Sequence, residues 1–271
     1  MSFAPGHISL TFAIWPDSDL LAMGSTGVGI ILPQGVHCAV VREQSEIKHN
    51  VVIREGTSVE DPVTLRALEL LGFANKGLTV YLRHDLPLGS GFGISGASAL
   101  AACMELEKNL DLCVKAAHQA EVEFRTGLGD VIAIAESIHT NIFPSIVIRQ
   151  TPGYGGETQS FPIGEKFAVC ISGVGRDTSE IITDEKWIEI INSAALDIPI
   201  SKPNIRSSIK IGRLFTEKSG LVNDNISHIL DEMPIGSVSS VAHLGTSIVA
   251  TSEDMTTLVE KLSEFGKVRL Y

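Results

Sequence analysis

Residues 85–110 read DLPLGSGFGISGASALAACMELEKNL, with four glycines (Gly89, Gly91, Gly93 and Gly96) and Ser90 and Ser95 among them. An apolar, strand-like run, LTVYLRHDLP, leads in, and an alanine-rich run follows. Strand, bare turn, helix is an arrangement that holds phosphate. Glycines let backbone N–H groups approach oxygen atoms, and the free N–H groups and dipole of a helix start favour an anion. The alternative is a helix that begins at a glycine-rich turn and binds nothing, at a cost in backbone entropy.

Three motifs compete for this stretch. Gly91-Phe92-Gly93-Ile94-Ser95-Gly96 fits GxGxxG to the letter, but a dinucleotide fold also needs a parallel strand after the helix, ending in an acidic residue about 20 positions on. A second helical run follows instead. A Walker loop needs GxxxxGK[ST], and no lysine stands between Asp85 and Glu107. The third motif is the whole spacing, Pro87-Leu88-Gly89-Ser90-Gly91-Phe92-Gly93-Ile94-Ser95-Gly96-Ala97. Downstream, Asp130 closes TGLGDV, where it could work on a proton or cap a helix beginning at Val131. Glu121 lies nine residues before it, where it could serve a cation or pair with Arg125 at i+4. His118, three before Glu121, reads as structural, and no His or Cys pair has zinc spacing.

The elements that must position these groups follow from the rest of the chain. HISLTFAI, GVGIILPQGVHCAVV and KHNVVIRE read as strands. DPVTLRALELLGFANKG reads as a helix, with Asp61 as N-cap, Pro62 in its first turn and Gly77 at its end. A helix over residues 96–109 is expected after the glycines, then LCVKAAHQAEVEFRTG and VIAIAESIH as helices and SIVIRQTPG as a strand. TPGYGGETQS, rich in glycine, is the boundary, which gives an N-terminal lobe over 1–155 and a C-terminal lobe over 156–271. Beyond it KFAVCISGVG, SSVAHLGTSIVATS and KVRLY supply strands. SEIITDEKWIEIINSAALD, SIKIGRLFTEKSG, NDNISHILDEM and MTTLVEKLSEFG supply helices. The class is therefore α+β in two lobes.

Composition sets bounds on function. The 271 residues are 44% hydrophobic, enough for a sizeable core. A net charge of −11 gives no broad attraction to nucleic acid or an anionic membrane, while leaving room for a local anion site. Cys38, Cys103, Cys113 and Cys170 are scattered, as buried thiols of a cytoplasmic protein would be. The N-terminus lacks a basic start, Pro16, Asp17 and Asp19 cut its apolar run, and no stretch reaches the ~20 apolar residues of a membrane helix. A soluble cytoplasmic protein is expected. The oligomeric state, a homodimer included, stays open.

The spacing from Pro87 to Ala97 resembles the PxGxGLGSSAA motif of the GHMP kinases, with Ile94 at the first serine and Ser95 at the second. Pro5-Gly6-His7-Ile8-Ser9-Leu10 is similar to their PGRxNLIG motif, with His7 for arginine and Ser9 for asparagine. Together with Gly24-Ser25-Thr26-Gly27-Val28-Gly29, TGLGDV, Arg149-Gln150-Thr151-Pro152-Gly153 and Leu244-Gly245-Thr246-Ser247, these motifs look like the archaeal pantoate kinase branch. The resemblance spans nearly the whole chain and thins after residue 155. It implies the two-lobed GHMP kinase fold: an N-terminal lobe like domain 2 of ribosomal protein S5 and a ferredoxin-like α/β C-terminal lobe. ATP and substrate would lie in the cleft between lobes.

The resemblance also implies the chemistry and its residues. The γ-phosphoryl of ATP would pass to a hydroxyl of pantoate, giving 4-phosphopantoate on the route to coenzyme A. Pro87, Gly89, Ser90, Gly91, Phe92, Gly93, Ile94, Ser95, Gly96 and Ala97 would hold the phosphates. Ser95 and Glu121 would carry Mg²⁺, and Asp130 would face the acceptor hydroxyl. Pro5, Gly6, His7, Ser9, Ser25, Thr26 and Arg176 would line the acceptor side, with Arg176 a candidate for its carboxylate. Thr26 and the segment 174–178 depart from the family pattern, which leaves mevalonate, homoserine and shikimate open as acceptors. A non-catalytic nucleotide sensor and a nicotinamide enzyme are the readings from other classes.

Overall fold

A computed structural model describes residues 1–42, 48–173, 178–196, 203–222 and 224–271. The chain opens with two long antiparallel strands, β1 (Ser2–Trp15) and β2 (Gly24–Arg42). Then come β3 (Val51–Arg54), β4 (Thr57–Val59), α1 (Pro62–Leu70) and β5 (Leu78–His84). Three helices follow, α2 (Ile94–Leu106), α3 (Leu110–Glu123) and α4 (Asp130–Thr140), and then the hairpin of β6 (Ser145–Arg149) and β7 (Thr158–Pro162). These strands form a seven-stranded sheet. β2 is long enough to carry β1 along one edge and both β6 and β5 along the other.

The second sheet is antiparallel and four-stranded, in the order β11-β8-β10-β9: β8 (Ala168–Ile171), β9 (Val238–Val241), β10 (Ile248–Thr251) and β11 (Lys267–Leu270). Its helices are α5 (Thr178–Thr183), α6 (Glu185–Leu196), α7 (Ile205–Ser219), α8 (Asp224–Asp231) and α9 (Met255–Ser263). β1 is buried on both faces because α2 and α4 pack on it from one unit and α6 and α7 from the other. Phe167, Val169, Ile209, Ala242 and Val249 of the second unit share one apolar cluster with Ile8, Leu10 and Leu100 of the first. The two lobes are thus joined by a continuous core.

Several expected boundaries move. The division at 155/156 falls inside the β6–β7 hairpin, so the first sheet runs on to Pro162. The glycines of residues 153–156 make the hairpin turn rather than a linker. β4 and β7 are strands the pattern did not reveal, since β4 has three residues and β7 is largely exposed. Asp61 caps α1 as expected, accepting from the Thr64 N–H at 3.1 Å. That helix stops at Leu70 instead of running to Gly77, because Gly72 turns left-handed at φ 83°. α2 begins at Ile94, two residues early, directly on left-handed Gly93. It is buried on all sides from Ala97 to Cys103, which small side chains permit.

Candidate active site

The loop between β5 and α2 is built on alternate left-handed residues, Gly89 at φ 76°, Gly91 at 89° and Gly93 at 59°. A side chain at any of the three would be strained. At Gly91 it would also strike Ala242 O at 2.8 Å. No side chain caps α2, so its first N–H groups are left for a ligand. The loop is held from both lobes: the His7 N–H donates to Phe92 O at 2.9 Å, and Ser90 Oγ donates to Gly173 O at 2.7 Å. Gly245, in the turn between β9 and β10, packs flat against Ser90 and Gly91.

Asp130 stands at the first turn of α4, beside Gly93. Its capping role is corrected by the structure: Gly129 is the N-cap, and no side chain bonds the helix start. Asp130 is instead tethered by His7. The His7 Nδ1–Asp130 Oδ1 distance is 2.6 Å, and Arg149 Nη1 donates to His7 Nε2 at 3.2 Å. With Nε2 accepting, the ring proton sits on Nδ1 and points at the carboxylate. Burial pushes the His7 pKa down, against the pull of Asp130, which keeps the ring neutral. Arg149, the last residue of β6, reaches Ser25 O at 3.3 Å and Ser25 Oγ at 3.5 Å. Irregularities in the β1–β2 register on either side of His7 and Ser9 turn this part of β1 toward the site.

Glu121 is 1% exposed, on α3, and among the described residues neither of its oxygens has a hydrogen-bond partner. Burial, and then the charge of Asp130, push its acid well above the ordinary carboxylate range. The alternative reading, a pairing with Arg125, finds no contact among the described residues. Gly96 and Gly127 clear the space around it, since a Cβ on either would stand 2.6 or 2.5 Å from Glu121 Oε1. A Cβ on Gly127 would also stand 2.8 Å from Asp130 Oδ2. A buried carboxylate without a partner, lining the same cavity as Ser95, fits a hard divalent cation, which takes one or two carboxylates and completes its shell with phosphate oxygens and water. Among the described residues no group of three His, Cys, Asp or Glu side chains could hold a metal alone. Gly127→Ala is expected to lower kcat at least tenfold by displacing both carboxylates, with the far-ultraviolet circular dichroism unchanged. An unchanged kcat would show that the carboxylates do not need this space.

These groups share one cavity of about 430 Å³, walled by the glycine loop, Glu121, Phe124, Arg125, Thr126 and Asp130. Ser9, Ser179, His243 and Leu244 close it from the other side. Of the expected phosphate residues, Gly89, Gly91, Phe92, Gly93, Ile94 and Ser95 line it. Pro87 lies exposed outside it, Ser90 bridges the lobes, and Gly96 and Ala97 are buried in α2. Of the acceptor residues that the structure describes, Ser9 alone lines it. Pro5 pairs with Gly35 across the β1–β2 register, and Gly6 packs under the loop against Leu86. His7 is fully buried behind Asp130, Ser25 is held by Arg149, and Thr26 accepts from the Trp15 indole at 3.1 Å. Arg176 lies outside the described residues. His118 donates to Met23 O at 3.1 Å, and burial lowers its pKa to about 4, as befits a structural histidine. The sequence marked Arg149 as the head of a motif and gave it no role, because its partners lie 142 and 124 residues away.

A GHMP-type phosphate loop over a tethered aspartate defines a class, and similarity to known proteins points the same way. Residues 62–137 match the family described as GHMP kinases N terminal domain. Pantoate kinase of Methanocaldococcus jannaschii is 31% identical over 94% of this chain and 93% of its own length. Pantoate kinase of Methanospirillum hungatei is 30% identical over 99% and 93%. A solved phosphotransferase related to the CoA biosynthesis pathway superposes with a TM-score of 0.76 at 23% identity, over 100% of this chain and 97% of that one. The mevalonate kinase of L. major superposes at 0.64 and 13% identity, over 100% of this chain and 94% of its own, a likeness of fold. The chain belongs to the GHMP kinases, and within them to the pantoate kinase family.

Proposed function

We propose that this protein is a pantoate kinase: it transfers the γ-phosphoryl group of ATP to a hydroxyl of pantoate, giving ADP and 4-phosphopantoate for coenzyme A synthesis. The observation that carries this reading is the aspartate tethered at the mouth of a bare phosphate loop, in a chain alike over nearly its full length to pantoate kinases. Mevalonate, homoserine and shikimate kinase activities share the loop but not that likeness.

In this reading the loop N–H groups and the start of α2 cradle the phosphates. Ser95 and Glu121 would hold Mg²⁺, which would supply neutralising charge to the phosphates. The acceptor hydroxyl lies against Asp130 Oδ2, the oxygen that His7 leaves free. As the hydroxyl oxygen bonds to γ-phosphorus and the bond to the ADP oxygen breaks, Asp130 takes the proton. His7 fixes the carboxylate, and Arg149 fixes His7. The enzyme would work in the cytoplasm of an archaeon. Four buried free cysteines suit a reducing compartment, and no described helix is long and apolar enough to cross a membrane.

The test is ADP release from Mg·ATP with D-pantoate, mevalonate, homoserine and shikimate offered separately. Turnover with pantoate alone is expected. Turnover with another acceptor would keep the kinase and overturn the substrate, and ATP binding with no turnover would favour a sensor.

A further inference from the structure

The phosphate loop brings no positive charge of its own. From Asp85 to Glu107 the chain has neither lysine nor arginine. The cavity also carries two acids, Glu121 and Asp130. A nucleotide triphosphate adds several negative charges to that wall, and backbone N–H groups offset them only as partial charges. Among the described residues lining the cavity, Arg125 is the one arginine or lysine.

Arg125 is held in an uncommon way. It follows the end of α3 with left-handed backbone, φ 57°, which costs energy for a residue with a side chain. Its N–H donates to Val122 O at 3.1 Å, which fixes the turn. Its two acidic neighbours do not engage it. Glu121 is buried without a partner, and Glu123 accepts from Arg66 Nε at 3.0 Å. The Arg125 guanidinium is exposed and makes no ion pair or hydrogen bond among the described residues. The side of the cavity beside Asp130, by contrast, already has a cation behind it in Arg149.

We propose that Arg125 is a nucleotide-binding residue that pairs with the triphosphate of the bound nucleotide and supplies the charge the glycine loop lacks. Guanidinium and phosphate match as a two-pronged hydrogen-bonded pair, whereas lysine offers only a point charge. The turn fixes the Arg125 backbone at the cavity wall, which puts the side chain within the site. This inference rests on the kinase reading for its ligand and is independent of which alcohol is phosphorylated.

The experiment titrates wild type, Arg125→Gln and Arg125→Lys with ATP, ADP and AMP in Mg²⁺ by calorimetry, and measures KM for ATP and for pantoate. Arg125→Gln is expected to weaken ATP binding about tenfold, ADP less and AMP hardly at all, with KM for pantoate unchanged. Arg125→Lys should fall between, and high salt should narrow the gap between wild type and Arg125→Gln. Equal ATP affinity in wild type and Arg125→Gln would overturn the proposal. A raised KM for pantoate with ATP binding unmoved would overturn it too, by giving Arg125 to the acceptor. If the wild type binds ATP but ignores pantoate, the substrate reading fails while the nucleotide titrations still decide the role of Arg125.

Discussion

Asp130→Asn is expected to lower kcat by about 10³-fold while the Kd for ATP stays within about twofold of wild type. The substitution is nearly isosteric and keeps an oxygen to accept the His7 Nδ1–H, now 2.6 Å from Oδ1. Asp130 bonds nothing at the start of α4, so the helix loses no cap. What is lost is the second oxygen, which stands by Gly127 on a residue that lines the cavity. An amide there cannot take the acceptor's proton. Single-turnover kinetics should place the loss in the phosphoryl-transfer step. A kcat within tenfold of wild type would show that the aspartate only orients the alcohol, and loss of ATP binding would mean that the loop depends on this charge.

Glu121→Gln is expected to act in opposite directions on turnover and on stability. Turnover with Mg·ATP should fall by about 10²-fold or more, because an amide is a poor ligand for a hard cation. In chelator without nucleotide, the variant should be more stable than wild type at pH 8. The Glu121 pKa in the fold is raised above its unfolded value of ~4.3. The folded protein therefore binds the extra proton, so its stability is complete below the unfolded pKa and declines as pH rises toward the folded one. Glutamine stays neutral and escapes that decline. Scanning calorimetry should find the Tm of the variant higher by several degrees at pH 8, at about 2–4 °C per kcal/mol, with the gap closing toward pH 4. A variant no more stable than wild type at pH 8 would show that the buried carboxylate costs the fold nothing.

The phosphate loop is legible in the amino-acid sequence because its requirements are local. Left-handed backbone at Gly89, Gly91 and Gly93 needs glycine, and glycine at alternate positions ahead of an alanine-rich helix leaves a visible pattern. Asp61 and Pro62 mark the start of α1 for the same reason. Boundaries that depend on distant partners leave no such mark. β7 looks like a linker because its hydrophobic alternation is weak, and it becomes a strand only by pairing with β6. The site behaves likewise: Asp130 and Glu121 stand out by residue type, but the helix-cap and ion-pair roles that each could have filled are settled by their surroundings.

The sequence alone determined the two-lobed α+β class, the phosphate loop and its helix, and the pair of acids downstream, since each is set by neighbours a few residues away. Tertiary structure decided which histidine nitrogen faces Asp130, that Arg149 stands behind it, and that Glu121 is buried with no partner among the described residues. It also decided that Ser25 and Thr26 are occupied elsewhere and that Arg125 stands on the cavity wall. The physical reason is that burial and hydrogen-bond direction are properties of groups brought together across more than a hundred residues, as His7 and Arg149 are at a separation of 142. No local pattern along the chain records them.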